Sequence, residues 1–137
     1  MSNCQVVRTL DIVGEKWSLL IIRDALRGRT RFSEFRENLK APSDILTARL
    51  ATLVRAGVLE KRAYREPGSR ERSSYHLTEA GEGLRVVIAA IMQWSDEFDP
   101  APGGASLRLV GDNGHPLQLA YVDASGDIHE SAQLVRA

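Results

Sequence analysis

A single cysteine, Cys4, stands among 137 residues. No intrachain disulfide can form, and a reducing cytoplasm is the expected setting. No apolar run approaches the roughly 20 residues that a membrane-spanning helix needs, so no membrane partner is expected. Met1-Ser2-Asn3-Cys4 lacks the basic-then-apolar pattern of a secretory leader. The histidines number three, His76, His115 and His129. They lie far apart with no thiol or acidic cluster beside them, so neither a metal nor another cofactor is expected. A glycine-rich phosphate loop, a nucleophile elbow and a paired motif of catalytic acids are all missing, which sets an enzyme aside. An excess of one charge is missing too: the net charge is zero, which taken alone argues against a nucleic-acid partner.

That average conceals a division. Residues 1–76 carry 15 Lys/Arg against 9 Asp/Glu, a net of +6, whereas residues 77–137 carry 3 against 9, a net of −6. Such asymmetry points to an interaction surface at one end of the molecule. A chance cluster of surface charges is the plain alternative.

Apolar spacing reads as a run of short helices. Val6, Leu10, Val13, Trp17 and Leu20 fall on one helical face. Gly14 divides that face into a helix near 4–13 and another near 16–27. The second is apolar almost all round through Leu19, Leu20, Ile21, Ile22, Ala25 and Leu26, so it is the expected centre of the core. A third helix, with Ser33 as N-cap, carries Phe32, Phe35 and Leu39. After Ala41-Pro42, Ser43 is the expected cap of a fourth, which turns Leu46, Leu50, Leu53 and Val54 inward. Two short helices with a tight break between them form a helix-turn-helix.

The period then changes to that of strands. Residues 58–64 and 73–77 read as a hairpin around Glu66-Pro67-Gly68-Ser69. Thr78 is the expected N-cap of one long helix over 79–98, with Leu84, Val87, Ile91, Trp94 and Phe98 as its apolar seam. Asp99-Pro100-Ala101-Pro102-Gly103-Gly104 is a linker. Beyond it, 107–110 and 117–122 read as strands joined by Gly111-Asp112-Asn113-Gly114. The expected class is α+β: a winged helix over 1–99, then a linker and short β extension over 100–137.

Helical geometry on the fourth helix turns Ser43, Asp44, Ile45, Thr47 and Ala48 outward or to one flank, with Arg49 on the other flank. Ser43 and Thr47 can bond base edges or phosphates, Ile45 can meet a thymine methyl, and Arg49 can meet guanine or a phosphate. Asp44 suits a helix N-terminus or a cytosine amine. Arg65, Arg70 and Arg72 crowd the hairpin tip, where cations can reach phosphates or the minor groove, though Glu66 and Glu71 offset part of their charge. Arg27, Arg29 and Arg31 precede the motif and suit backbone phosphates.

Five words of this sequence resemble HxlR-type winged helix-turn-helix transcription regulators. They are Leu10-Asp11-Ile12-Val13-Gly14-Glu15-Lys16-Trp17-Ser18-Leu19-Leu20-Ile21-Ile22-Arg23-Asp24 after Cys4, then Arg31-Phe32-Ser33-Glu34-Phe35, then Leu46-Thr47-Ala48-Arg49-Leu50. Ala56-Gly57-Val58-Leu59-Glu60-Lys61-Arg62 and Tyr75-His76-Leu77-Thr78-Glu79-Ala80-Gly81 complete the series, and the likeness runs from about 4 to 96. The resemblance implies a homodimeric bacterial regulator, usually a repressor, that occupies a double-stranded, pseudo-palindromic operator. Its N-terminal and long C-terminal helices would form the dimer interface, here Val6, Leu10, Leu84, Val87, Ile91, Trp94 and Phe98. It also makes Cys4 a candidate redox or electrophile sensor, so a small-molecule or oxidant effector is a candidate partner. A half-buried structural role for Cys4 is the alternative. Asp44 and Ala48 stand where the family often carries arginine. The turns at 112–116 and 123–126 resemble the knuckles of a zinc-ribbon-like extension, but without its cysteines, so a metal-free appendage is expected. Two other readings stay open: a MarR-type regulator with a ligand pocket, and a winged-helix protein-interaction module that does not bind DNA.

Overall fold

The computed structural model describes residues 3–136, which form two compact units, one up to Ile88 and one from Ala89 onward. In the first unit the helices α1 (Gln5–Val13), α2 (Lys16–Leu26), α3 (Phe32–Leu39) and α4 (Ser43–Arg55) come first. The antiparallel strands β1 (Leu59–Tyr64) and β2 (Arg72–Leu77) and the short helix α5 (Glu79–Gly83) follow. The helix α6 (Arg85–Phe98) crosses from the first unit into the second. The second unit adds the short strands β3 (Tyr121–Val122) and β4 (Ile128–His129). The class is α+β, with a helix-turn-helix followed by a two-stranded wing.

The core of the first unit is the meeting of the apolar stripes. Ile21 and Ile22 of α2, Phe35 of α3, and Leu46, Leu50 and Leu53 of α4 are fully enclosed, and Val58 and Leu59 close the cluster. Each such side chain contributes about 1.5–3 kcal/mol by leaving water. Asp24 is buried among them and is held by hydrogen bonds: Asn38 Nδ2 donates to it at 2.6 Å and Arg23 Nη2 at 2.9 Å. Because Asn38 sits on α3, this carboxylate ties the first helix of the motif to the centre of the core.

The caps differ from expectation. Ser33 lies inside α3; the N-cap is Arg31, whose backbone N–H donates to Glu34 Oε1 at 3.1 Å. Ser43 is likewise the first residue of α4, after Pro42. Both misplacements have one cause: a preceding residue with extended backbone takes the cap position, so the serine's propensity is overridden. Lys40, in the left-handed region at φ 54°, closes α3 and makes the tight break before α4. Gly57, at φ 74°, ends α4, and Val58 N–H donates back to Leu53 C=O at 2.9 Å, a Schellman closure.

Strand pairing in the wing runs from Leu59↔Leu77 to Tyr64↔Arg72. Tyr75 N–H also donates to Thr30 C=O at 2.7 Å, which seats β2 beside the segment entering α3. Thr78 caps α5 as expected, its hydroxyl accepting from Gly81 N–H at 3.2 Å. The single long helix expected over 79–98 is instead broken at Leu84. Gly81 and Gly83 weaken helix propensity there, each by about 1 kcal/mol relative to alanine. Gly81 is required all the same, because a Cβ at that position would collide with the Val58 carbonyl oxygen.

In the second unit the strands expected at 107–110 and 117–122 are mostly absent. Val110 makes only an isolated bridge to Pro116, and Tyr121 and Val122 pair with His129 and Ile128 instead. The reason is the turn that follows: Asp123 Oδ1 accepts from Ser125 N–H at 2.9 Å and Asp127 N–H at 3.1 Å, and this folds the chain back at once. The first turn is held similarly, by Gly111 N–H to His115 C=O at 2.9 Å. Among the described residues, no helix is long and apolar enough to cross a membrane.

Candidate nucleic-acid interface

Burial of Leu46, Leu50 and Leu53 fixes the azimuth of α4 and leaves Ser43, Asp44, Thr47 and Ala48 exposed, with Ile45 half-buried. This is a projecting helix face of the width that a major groove admits. Asp44 sits in the first turn, where its charge complements the helix dipole. The Thr47 hydroxyl donates to Ser43 C=O at 2.8 Å, so in this rotamer it offers lone pairs rather than a proton. Arg49 turns away from that face. Its Nη2 lies 3.4 Å from Glu15 Oε2, at the residue that precedes α2.

The other candidate arginines divide in the same way. Arg31 is held by Glu66, Nη1 to Oε1 at 2.6 Å, and its guanidinium lies over the Tyr64 ring, 4.7 Å from the centroid. This fastens the entry of α3 to the hairpin. Arg65, Arg70 and Arg72 are exposed and, among the described residues, have no carboxylate within ion-pair distance. Their charge stays available for phosphates. Of the upstream arginines, Arg29 donates to Asn38 Oδ1 at 3.3 Å, next to the buried Asp24.

Arg36 was not legible as a site residue. It follows the buried Phe35 on α3 and faces out, lining a cleft of about 480 Å³ with Arg70 and Arg72 of the wing. The aromatic rings of Phe32, Tyr64 and Tyr75 complete the walls. The signal in the sequence was the Phe32, Phe35, Leu39 stripe, which turns position 36 to solvent. Only the folded hairpin shows which arginines it meets.

Of the candidate dimer residues, Val6 and Leu10 of α1 are more than half exposed. On α6, Ile91, Trp94 and Phe98 are exposed, the last two at 61% and 64%, with their rings 5.7 Å apart. Val87 is half-buried, and Leu84 packs against the core of its own chain. Cys4 is exposed and occupies the N-cap of α1. No group of three or more His, Cys, Asp or Glu among the described residues could hold a metal ion.

Comparison with known proteins identifies the family and the fold. The family model described as an HxlR-like helix-turn-helix matches residues 12–102. The uncharacterized HTH-type transcriptional regulator Mb3122 of Mycobacterium bovis is 42% identical over 104 residues, which is 76% of this chain. The aligned part spans 65% of that relative's length. Among solved structures, PA1607, a candidate transcription factor, superposes with a TM-score of 0.85 at 36% identity, covering 100% of this chain and 97% of its own. The redox regulator HypR in its reduced form gives a TM-score of 0.61 at 28% identity, over 68% of this chain and 91% of its own.

Proposed function

This chain belongs to the HxlR-like helix-turn-helix family of transcription regulators, and on that premise we propose that it represses transcription as a homodimer bound to a pseudo-palindromic operator. The observation that carries this reading is the exposed face of α4 beside a wing whose Arg65, Arg70 and Arg72 lack carboxylate partners among the described residues. In this reading Ser43, Ile45, Thr47 and Ala48 meet base edges and the wing arginines meet phosphates. Asp44 sits near them on the same face, while Arg31 and Arg49 hold the frame through Glu66 and Glu15 and reach DNA only if those pairs open. Residues 1–99 form the DNA-binding and dimerising part, and 100–137 are an appendage to it. The exposed apolar strips on α1 and α6 support self-association, and an isologous pair would place two α4 helices roughly 34–36 Å apart. Its chemistry is binding, not catalysis.

Fluorescence anisotropy with random and operator duplexes across a salt series tests the reading. The Arg70→Ala/Arg72→Ala double variant should bind both duplexes more weakly, and its log–log salt slope should flatten by about 0.9 for each phosphate that is no longer neutralised. A correctly folded double variant with unchanged affinity and slope refutes the wing assignment. A wild type that binds no duplex at low salt favours the protein-interaction alternative.

A second reading concerns Cys4. Its exposure at the N-cap of α1, together with the structural likeness to a protein described as a redox regulator, supports thiol sensing of oxidants or electrophiles. Oxidant should then lower operator affinity in the wild type but not in Cys4→Ser. An equal response in both proteins removes the thiol from the mechanism.

A further inference from the structure

The cleft between α3 and the wing has a composition that DNA contact alone does not explain. Three guanidinium groups, Arg36, Arg70 and Arg72, line one concavity, and none has a carboxylate partner among the described residues. No acidic side chain belongs to its lining: Glu71, between Arg70 and Arg72 in the chain, and Glu37, next to Arg36, lie outside it, and Glu66 is committed to Arg31. The three are exposed, and their summed charge attracts an anion to the concavity. Two further features specify the anion. Phe32, Tyr64 and Tyr75 also line it and offer ring surfaces for a flat body, with Arg31 lying over the Tyr64 ring, and Ser33 and Ser73 add hydroxyls. The space is about 480 Å³, within the range of roughly 300–1,000 Å³ typical of small organic ligands and far more than a lone phosphate group fills.

We propose that this cleft binds a small planar organic anion, an aromatic carboxylate, held by Arg36 and the wing arginines Arg70 and Arg72. The carboxylate takes the guanidinium forks and the ring lies between the aromatic walls. Arg36 stands one helical turn after Phe32 on α3, so a ligand that touches these two together with Arg70 or Arg72 spans from α3 to the hairpin. Arg70 and Arg72 are the residues assigned above to DNA phosphates. The ligand and the duplex therefore compete for the same charges, and the anion acts as an inducer. This last consequence rests on the DNA-binding reading, whereas the binding site itself does not.

The test uses the full chain with benzoate and 2-naphthoate as probes, inorganic phosphate as charge without ring, and 2-naphthylmethanol as ring without charge. Calorimetric titration should show saturable binding of at least one carboxylate. Affinity should fall about tenfold or more in Arg36→Ala, the loss expected when one charge-assisted contact is removed. Phosphate and the neutral alcohol should also bind at least about tenfold more weakly. Circular dichroism confirms the fold of the variant, and Arg36→Gln serves as a second variant that keeps side-chain length. No binding of either carboxylate, equal binding in the Arg36 variants, or equal binding of phosphate each overturns the proposal. In the DNA arm, the bound carboxylate should weaken duplex binding by the wild type but leave Arg36→Ala unaffected. A wild type that binds carboxylate but no DNA refutes the regulator reading and leaves the site standing; one that binds DNA but no carboxylate does the reverse.

Discussion

The two compact units of this chain are stabilised in different ways. Up to Ile88, four helices and a hairpin enclose Ile21, Ile22, Phe35, Leu46, Leu50 and Leu53 completely. From residue 89 onward, Ala89 is the only buried residue described, while Val122 and Ile128, which face each other in the β3–β4 ladder, are more than half exposed. The first unit is held by burial, the second by turns and backbone hydrogen bonds. A two-stranded ribbon is marginal in water, so little of the chain's stability should reside there. The charge division runs nearly in parallel, basic through residue 76 and acidic beyond it. The part with a packed core can therefore hold arginines in fixed places without carboxylate partners.

The largest effect that sharpens this contrast is a cavity in the first core. Leu50→Ala should lower unfolding stability by about 2–5 kcal/mol in denaturant titration, whereas Ile128→Ala should change it by less than about 0.5 kcal/mol. Equal losses would break the comparison. Next comes the apolar strip of α6. Ile91→Glu should weaken self-association in sedimentation about tenfold or more, since burying one such side chain contributes roughly 1.5–3 kcal/mol. A wild type that sediments as a monomer at concentrations where it binds DNA refutes the dimer. A smaller loss, about 1 kcal/mol, is expected for Thr78→Ala, which removes the cap of α5 and the hydroxyl contact to the end of α4. No change in midpoint would show that the capping bond contributes nothing.

The smallest effect lies in the second unit. His129 Nε2, 2.7 Å from Asp123 Oδ2, and the backbone N–H of Asp127 hold the Asp123 carboxyl below its ordinary value of 3.8. A depressed carboxylate favours the folded turn above the unfolded value, and this contribution fades as pH falls through the folded one. The Ser125 and Asp127 amide resonances should therefore titrate with a midpoint below 3.8, while Asp123→Asn shows no such transition. A midpoint at or above 3.8 in the wild type would contradict the anchored turn.

Much of the fold was legible because helical stripes and turn residues are local. The spacing of Leu46, Leu50 and Leu53 marked the inner face of α4, and Pro67-Gly68 marked the wing. The break at Leu84 was hidden, since Thr78, with Glu79 and Glu82 after it, reads as the N-terminus of one continuous helix. Gly81 and Gly83 weaken the helix there, and glycine is required at 81 by its close approach to the Val58 carbonyl, a residue far off in the chain. In the second unit, Leu117–Val122 alternates like a strand, yet only its last two residues pair, because Asp123 turns the chain immediately.

For the candidate interface the limit was different in kind. The residue types that can meet DNA, and the helix that presents them, follow from periodicity and charge along the chain. Which arginines keep their charge free does not. Arg31 and Arg49 look as available as Arg70 and Arg72 in the sequence, but Glu66 and Glu15, 35 and 34 positions away, take them in the folded chain. Arg36 joins the wing arginines only because β2 is seated beside the segment entering α3. Sequence determined the elements, their buried faces and the sign of charge on each part, because these depend on near neighbours. Tertiary structure alone decided the pairing of charges and the cleft they line, because Coulomb interactions act through space between residues that the chain order separates.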